Sequence, residues 1–208
     1  MRPLTLAVPK GRILDELAGP FLAAGIDLSP FESTRKLLID SPDGSYRMLL
    51  LRASDVPTYV ERGVADVGVS GSDTLREDGA DLLEPIDLGI GACRLCVAAP
   101  AARVARGYGS GLVRVATKYP NQARQFFRQR GIESIIIKLY GSVELAAISG
   151  LADVIVDLVS TGGTLRANAL LEMDTICDVS SRLVVNRASF QTRTQEIDAL
   201  VRGIREAL

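Results

Sequence analysis

The stretch from Val154 to Leu165 reads VIVDLVSTGGTL. Its first half is an apolar run typical of a buried β-strand, and it contains one acid, Asp157. Its second half consists mainly of hydroxyl residues and glycines, and a helix is predicted to begin there. A strand, a glycine-bearing loop and a helix in this order are typical of α/β proteins, in which such loops hold anions.

The loop comprises Ser160, Thr161, Gly162, Gly163 and Thr164. Its glycines let a ligand approach the backbone closely, its hydroxyls can donate hydrogen bonds, and N–H groups at a helix start attract negative charge. Asp157, at the carboxyl end of the strand, can accept hydrogen bonds from ribose hydroxyls. The stretch therefore predicts a site for a ribose 5-phosphate. A tight strand-to-helix turn with a Ser/Thr cap is the structural alternative.

Short apolar runs alternate with helical patterns along the rest of the chain, which predicts an α/β fold with mostly parallel strands. Strands are predicted at residues 4–8, 47–51, 67–70, 95–99, 113–116, 135–139, 154–157 and 183–186. Helices are predicted within residues 13–22, 55–63, 72–79, 121–130, 142–150 and 195–208, and after the loop. We expect Pro20 to kink or divide the first helix, and Asp55 and Ser142 to cap theirs.

The pattern also predicts two lobes. Around residues 88–92 the sequence changes to small residues and glycine, and a fresh set of α/β units follows. Lobe I is predicted to comprise residues 1–90 plus 180–208, and lobe II residues 91–179. A cleft between two such lobes is a natural ligand site.

The composition indicates a folded protein and excludes several functions. Of 208 residues, 47% are hydrophobic and 24% are charged, and the net charge of -1 offers no large basic surface for nucleic acid. The longest apolar runs are far too short to span a bilayer, and the first residues lack the pattern of a signal peptide. We therefore expect a cytoplasmic protein without nucleic-acid or membrane partners.

Histidine is absent, which excludes Ser-His-Asp and Cys-His nucleophile systems and a histidine general base. An enzyme of this composition must work with Lys, Arg, carboxylates, hydroxyls and backbone N–H groups. Cys93, Cys96 and Cys177 are expected to be reduced thiols. Cys93 and Cys96 have the spacing of a redox motif, but they fall on a β-like run and not at a helix start, which disfavours a redox role. The sequence has no second ligand pair for zinc.

The loop resembles those of two phosphoribosyltransferase families. The type I enzymes also end their diphosphoribose loop in Thr-Gly-Gly-Thr, but they place two adjacent acids before it, whereas Asp157 is followed by Leu158. The ATP phosphoribosyltransferase family has a longer signature, and this chain matches every position of it. The matching residues are Glu144, Gly150, Ala152, Ile155, Asp157, Leu158, Thr161, Gly162, Thr164 and Leu165.

Further blocks extend the resemblance to the ATP phosphoribosyltransferases over nearly the whole chain. They are residues 9–12 (PKGR), 33–37 (STRKL), 52–60 (RASDVPTYV), 63–68 (GVADVG), 71–73 (GSD) and 116–120 (ATKYP). One departure is Ala169, where the family usually has glycine after Asn168.

The resemblance implies a two-lobed fold like that of type II periplasmic binding proteins, with the active site in the interlobe cleft. It implies the short form, a catalytic subunit, because the chain ends soon after its final helix, without the regulatory domain of the long form. The expected assembly is a homodimer within a hetero-oligomer that includes a regulatory subunit resembling histidyl-tRNA synthetase.

The reaction implied by the resemblance is the first step of histidine biosynthesis. ATP and phosphoribosyl pyrophosphate give N1-(5-phosphoribosyl)-ATP and pyrophosphate, with Mg²⁺ carried mainly by the substrate phosphates. Glu144 and Asp157 would hold the ribosyl hydroxyls, and residues 160–164 the 5-phosphate. The expected catalytic residues, facing pyrophosphate or ATP phosphates, are Lys10, Arg12 and Arg35. The expected ATP-binding residues are Gly11, Arg52, Asp66 and Asp73.

Two other functions stay open at this level. One is a type I phosphoribosyltransferase that acts on another base, and the other is a non-catalytic small-molecule binding module of the same fold.

Overall fold

A computed structural model describes residues 2–31 and 35–208, so Ser33 and Thr34 of the block at 33–37 lie outside the described residues. The chain forms two compact units, unit 1 (Met1–Gly91 and Ser180–Leu208) and unit 2 (Ala92–Val179). The strands are β1 (Leu4–Pro9), β2 (Leu38–Asp40), β3 (Tyr46–Leu51), β4 (Val67–Gly71), β5 (Leu83–Asp87), β6 (Cys93–Pro100), β7 (Val113–Thr117), β8 (Ser134–Lys138), β9 (Val154–Val159), β10 (Leu170–Val179) and β11 (Ser181–Val185).

Helices flank both sheets. They are α1 (Arg12–Ala23), α2 (Val56–Glu61), α3 (Ser72–Asp78), α4 (Ala101–Arg106), α5 (Pro120–Gln129), α6 (Glu144–Ile148), α7 (Gly163–Ala167), α8 (Arg187–Thr192) and α9 (Thr194–Glu206). Among the described residues, none of these helices is long and apolar enough to cross a membrane.

Unit 1 has a six-stranded sheet in the order β2-β3-β1-β4-β11-β5. Strand β1 is its centre, parallel to β3 and to β4. Leu4, Leu6 and Val8 of β1 pack in the core with α1 and α9, while Ala7 belongs to the cluster on α2. Burial on both faces explains why β1 reads as a continuous apolar run.

Unit 2 has a five-stranded sheet in the order β10-β6-β9-β7-β8. In β9, Val154 and Val156 pack on one face with Phe127 of α5, while Ile155 and Val159 pack on the other face with α6 and α7. Both faces of β9 are therefore covered, and the strand ends where the loop at 160–164 begins.

The predicted strands are all present, but the sheets are less parallel than predicted. In unit 2, β6 is antiparallel to both β9 and β10, and in unit 1, β11 is antiparallel to both β4 and β5. The sequence analysis did not predict β10, because its exposed positions interrupt the apolar run.

Two predicted helix caps were wrong, and one of the two outcomes predicted for Pro20 did not occur. Pro20 lies inside one continuous helix, α1, so it does not divide the helix. Asp55 stands at the N-cap of α2 without a capping hydrogen bond, and its carboxylate accepts from the Ser54 hydroxyl at 3.0 Å. Ser142 does not cap α6, because its own φ is +45° and Val143 occupies the N-cap position.

Ala169 has a left-handed backbone, with φ of +54°. Glycine takes such a conformation without steric cost, whereas a Cβ atom makes it less favourable. The glycine that the family usually has at position 169 would therefore fit this backbone conformation better than Ala169 does.

Candidate functional site

The loop at 160–164 and the two predicted acids line one concavity in unit 2. We name it the loop pocket, and it is lined by Glu144 and by residues 157–165. Its volume is about 210 Å³. Strand β9 ends inside it, α6 brings Glu144 to it with its first residue, and α7 begins beside it. Every residue predicted to bind phosphoribosyl pyrophosphate is therefore at this one place.

The environment of Asp157 favours its neutral form. Burial raises the pKa of this carboxyl above its usual value, and the nearby charge of Glu144 acts in the same direction. The hydrogen bond from the Leu158 N–H at 2.9 Å and the positive charge of Lys118 lower this pKa, but they do not cancel the rise. A ligand that donates hydrogen bonds to Asp157, or brings positive charge, would reverse this balance.

The loop conformation depends on a glycine. Gly162 has a φ of +72° and stands at the N-cap of α7. A Cβ atom there would lie 3.1 Å from a guanidinium nitrogen of Arg166. Both the backbone angle and the close approach of that side chain therefore favour glycine at this position.

In unit 1, several predicted residues follow the carboxyl ends of neighbouring strands. Lys10 follows β1 and Arg52 follows β3, and these parallel strands end beside each other with Pro9 opposite Leu51. The Lys10 N–H donates to the Leu51 carbonyl at 2.8 Å. Both Lys10 and Arg52 are exposed. Parallel strands present their carboxyl ends at one edge of a sheet, which is where α/β proteins bind ligands.

Gly11, Arg12 and Asp73 belong to the helix starts at that same edge. Gly11 precedes α1 with a φ of +87°. The Arg12 side chain is 70% exposed and pairs with Glu16 at 2.9 Å. Asp73 is buried in the first turn of α3, with its carboxylate against Gly71, where a Cβ atom would lie only 2.1 Å from Oδ1.

Arg35 is exposed and precedes β2. Leu38 of the antiparallel strand β2 is paired with Leu49 of β3. The chain entering β2 therefore comes from the end of β3 that carries Arg52.

Asp66 does not belong with these residues. It precedes β4, at the opposite edge of the sheet from Asp73, and its side chain is fully buried. Its oxygens accept from Arg2 at 2.6 Å, the Ser189 hydroxyl at 2.6 Å and Arg193 at 3.1 Å. Because these partners occupy the carboxylate inside the protein, we leave Asp66 out of the proposed ATP site.

The three cysteines, Cys93, Cys96 and Cys177, form no disulfide bond within the described part of the chain. Within residues 2–31 and 35–208, no group of three or more Cys, Asp or Glu side chains is arranged to hold a metal ion.

Four residues near the loop pocket had no role in the sequence analysis. Lys118 follows β7 and acts on Asp157 through its charge. Arg94, Arg166 and Glu172 contact the loop or one another. Only Arg166, close to the loop in sequence, could have been found by a local signal, because the other contacts join separate strands.

The fold and the loop pocket define an α/β protein of the periplasmic-binding type. The periplasmic aliphatic sulphonate binding protein SsuA from Escherichia coli has a TM-score of 0.60 at 13% identity, over 100% of this chain and 72% of that chain. This likeness concerns the fold alone.

The chain belongs to the ATP phosphoribosyltransferase family, whose model, HisG: ATP phosphoribosyltransferase, matches residues 52–206. The ATP phosphoribosyltransferase of Acidithiobacillus ferrooxidans is 52% identical over 97% of this chain and 95% of that protein. That of Geobacter metallireducens is 48% identical over 97% of this chain and 96% of that protein. The ATP phosphoribosyl transferase (HisG:HisZ) complex from Thermotoga maritima matches with a TM-score of 0.86 and 35% identity, over 98% of each chain.

The family is one of pentosyltransferases that catalyse the first step of histidine biosynthesis. The comparisons support this activity and not the type I enzyme or the binding module.

Proposed function

We propose that this chain transfers the 5-phosphoribosyl group of phosphoribosyl pyrophosphate to N1 of ATP through the loop pocket. The observation that carries the proposal is that two carboxylates, three hydroxyls and two glycines line one small concavity. In the reaction, the lone pair of adenine N1 forms a bond to the ribosyl anomeric carbon. The bond from that carbon to pyrophosphate breaks, and pyrophosphate leaves with the electron pair. Because N1 already carries its lone pair, the lack of histidine in this chain is no obstacle.

The loop at 160–164 binds the 5-phosphate in this proposal. Backbone N–H groups and the hydroxyls of Ser160, Thr161 and Thr164 are the donors. Glu144 and Asp157 accept hydrogen bonds from the ribosyl hydroxyls, which orients the sugar for attack. The reacting carbon gains positive character as pyrophosphate leaves, and the two carboxylates stabilise it.

Unit 1 supplies the contacts to ATP and to the leaving pyrophosphate. Lys10, Arg12 and Arg35 carry the positive charge that stabilises the developing negative charge on pyrophosphate. Gly11, Arg52 and Asp73 contact ATP. Support comes from their position at the carboxyl edge of β1, β3 and β4 and from the exposure of the four basic side chains.

Mg²⁺ accompanies the substrates. The carboxylates and hydroxyls of the loop pocket are hard oxygen donors that suit this ion, and a cation bound by substrate phosphates needs few protein ligands. When bound, Mg²⁺ neutralises phosphate charge.

The partner we propose is a regulatory subunit of the HisZ kind that resembles histidyl-tRNA synthetase. The structure with a TM-score of 0.86 is a HisG:HisZ complex, and this chain covers 98% of the matched subunit. We expect a homodimer of this chain within such a hetero-oligomer. We also place the enzyme in the cytoplasm, because its two substrates are intracellular metabolites.

The ultraviolet absorbance of ATP mixed with phosphoribosyl pyrophosphate, Mg²⁺ and the enzyme tests the reaction, since substitution at N1 changes the adenine spectrum. We expect Thr161→Val to raise the KM for phosphoribosyl pyrophosphate by roughly tenfold. This is the effect expected from the loss of one hydrogen bond between the Thr161 hydroxyl and the charged phosphate. Thr192→Val, in α8, is the matched control and should behave as wild type. A wild-type enzyme that uses orotate, hypoxanthine or adenine in preference to ATP would contradict the proposal.

A further inference from the structure

Two arginines donate hydrogen bonds to carbonyl groups of the loop at 160–164, and one glutamate pairs with one of these arginines. Arg94 of β6 donates to the Ser160 carbonyl at 3.2 Å, and Arg166 of α7 donates to the Thr161 carbonyl at 3.0 Å. Glu172 of β10 accepts from Arg94 at 2.9 Å and 2.5 Å, in a two-point pair. We name these three residues the loop clamp.

The clamp residues do not line the pocket. The residues that line it are Glu144 and 157–165, and they do not include Arg94, Arg166 or Glu172. A Cβ atom on Gly162 would lie 3.1 Å from Arg166 and 3.7 Å from Glu172. Two of the three clamp residues therefore approach the left-handed glycine closely.

The clamp determines the direction of two peptide groups. In a trans peptide the carbonyl and the following N–H point in opposite directions, and the described residues contain no cis peptide bond. When the Ser160 and Thr161 carbonyls turn towards the arginines, the N–H groups of Thr161 and Gly162 turn away from them. Among the residues that the structure describes, no protein group accepts from either of these two N–H groups.

The charges of the clamp also suit an anion. Two guanidinium groups and one carboxylate leave one net positive charge beside the loop. Glu172 pairs with Arg94, and this hydrogen bond is the main cause of the lowered pKa of Glu172, to which the nearby charge of Arg166 also contributes. Exchange of Glu172 for a neutral residue would weaken the pairing that holds Arg94 beside the loop.

From this geometry we infer that Arg94, Arg166 and Glu172 are positioning residues for phosphoribosyl pyrophosphate, and that they act by presenting the Thr161 and Gly162 N–H groups to its 5-phosphate. This inference rests on the proposed function of the loop pocket. It assigns the affinity for the phosphoribosyl substrate partly to residues that do not touch it.

Calorimetric titration of this chain with Mg²⁺-phosphoribosyl pyrophosphate, and separately with ATP, tests the inference. We expect Arg94→Ala to weaken binding of phosphoribosyl pyrophosphate by about tenfold and to leave ATP binding unchanged. Arg94→Lys keeps the charge but cannot form both contacts, so its affinity should lie between those of Arg94→Ala and wild type.

Arg114→Ala is the matched control. Arg114 pairs with Asp153 at 2.9 Å and donates to the Gly150 carbonyl at 2.9 Å, so it has the same kind of contacts in the same unit. These contacts lie before β9 rather than after it, away from the loop. Arg114→Ala should bind both substrates as wild type does, and equal affinities in Arg94→Ala and Arg114→Ala would overturn the inference.

Glu172→Gln covers the case in which Arg94→Ala does not fold, because it preserves shape and removes only the charge that pairs with Arg94. It should also weaken the binding of phosphoribosyl pyrophosphate without changing the binding of ATP. Wild-type affinity for phosphoribosyl pyrophosphate in this variant would overturn the inference. If Thr161→Val weakens the binding of phosphoribosyl pyrophosphate while the clamp variants do not, the proposed role of the loop pocket is supported. Only the inference about the clamp is then wrong. If the wild-type chain binds no phosphoribosyl pyrophosphate, both the inference about the clamp and the proposed function are wrong.

Discussion

Asp157 is half-buried in the second half of β9, and its surroundings oppose its ionisation. Burial, assisted by the charge of Glu144, raises the pKa of the carboxyl above the usual value of about 3.9. A group whose pKa is raised on folding holds its proton more tightly in the folded state. The ionised carboxylate therefore costs stability at any pH above that folded pKa. A cost of this kind at a ligand site is typical of functional residues.

Asp157→Asn should therefore change binding and stability in opposite directions. We expect the affinity for phosphoribosyl pyrophosphate to fall by about tenfold, because an amide is a poorer acceptor for ribose hydroxyls. The free protein should unfold at a higher urea concentration at neutral pH, since the buried charge is gone. Calorimetry and urea denaturation measure the two effects.

The pH dependence separates this role of Asp157 from a general loss of structure. In wild type, the affinity for phosphoribosyl pyrophosphate should decrease as the pH falls through the raised pKa of Asp157, because protonation removes an acceptor. In Asp157→Asn that part of the decrease should disappear. An unchanged pH profile in the variant would assign the decrease to another group.

At the scale of elements, the packing of α2 on the sheet of unit 1 depends on one small residue. Gly68, in β4, has no positive φ, but a Cβ atom there would lie 2.7 Å from Val60, 2.9 Å from Val56 and 3.1 Å from the Ala7 carbonyl. Both valines are fully buried in α2. Glycine is therefore required at this position for space and not for backbone freedom.

Gly68→Ala should destabilise unit 1 by roughly 1–3 kcal/mol, the usual cost of overpacking a core. Gly111→Ala serves as the control, because Gly111 is exposed, has no positive φ and would give an added Cβ atom open space. Its stability should lie within about 0.5 kcal/mol of wild type, as for other surface substitutions. Urea denaturation measures both variants, and an equally small change in Gly68→Ala would refute the close approach of α2 to β4.

At the scale of the whole molecule, unit 1 is built from two separated segments, and Asp66 joins them. Its carboxylate accepts from Arg2 and from the Thr5 N–H near the start of the chain, and from Ser189 and Arg193 near its end. Burial, the largest single influence, would raise the pKa of Asp66, but the hydrogen bonds from Ser189, Thr5 and Arg2 together lower it.

Asp66→Asn should destabilise the protein by roughly 3 kcal/mol, because it removes one partner of a buried ion pair with Arg193, whose side chain is only 10% exposed. The pKa of Asp66 is lowered on folding, so its contribution is present above the unfolded pKa and lost as the pH falls through the folded one. Stability curves against pH measure this.

Asp81→Asn is the control for that experiment. It breaks an ion pair with Arg187 whose side chains are 55% and 73% exposed, so it should cost less than about 1 kcal/mol. An equally small loss in Asp66→Asn would show that the buried network does not hold the two segments together.

Much of the fold is visible in local patterns. The apolar runs of β1, β3, β4, β7, β8, β9 and β11 were predicted to within a few residues, because each strand is a short and mainly apolar stretch of sequence. Gly79 and Gly131, both with a positive φ, lie at the ends of the helices that were predicted at residues 72–79 and 121–130. The loop at 160–164 and Asp157 were found in the same way, since strand, loop and helix follow one another in the chain.

Other features depend on strand order, and no local pattern contains that. The sheet order in unit 1 inserts β11 between β4 and β5, which brings Ser189 and Arg193 to Asp66 across more than 120 residues. The order in unit 2 sets β6 between β9 and β10, so that Arg94 reaches both the loop and Glu172 across 66 and 78 residues. Except for Glu144, the residues that line the pocket lie within a dozen consecutive positions, because a turn is a short-range structure. Which side chains contact the loop from other strands, and that Asp66 is buried among Arg2, Ser189 and Arg193, depends on the pairing of distant strands.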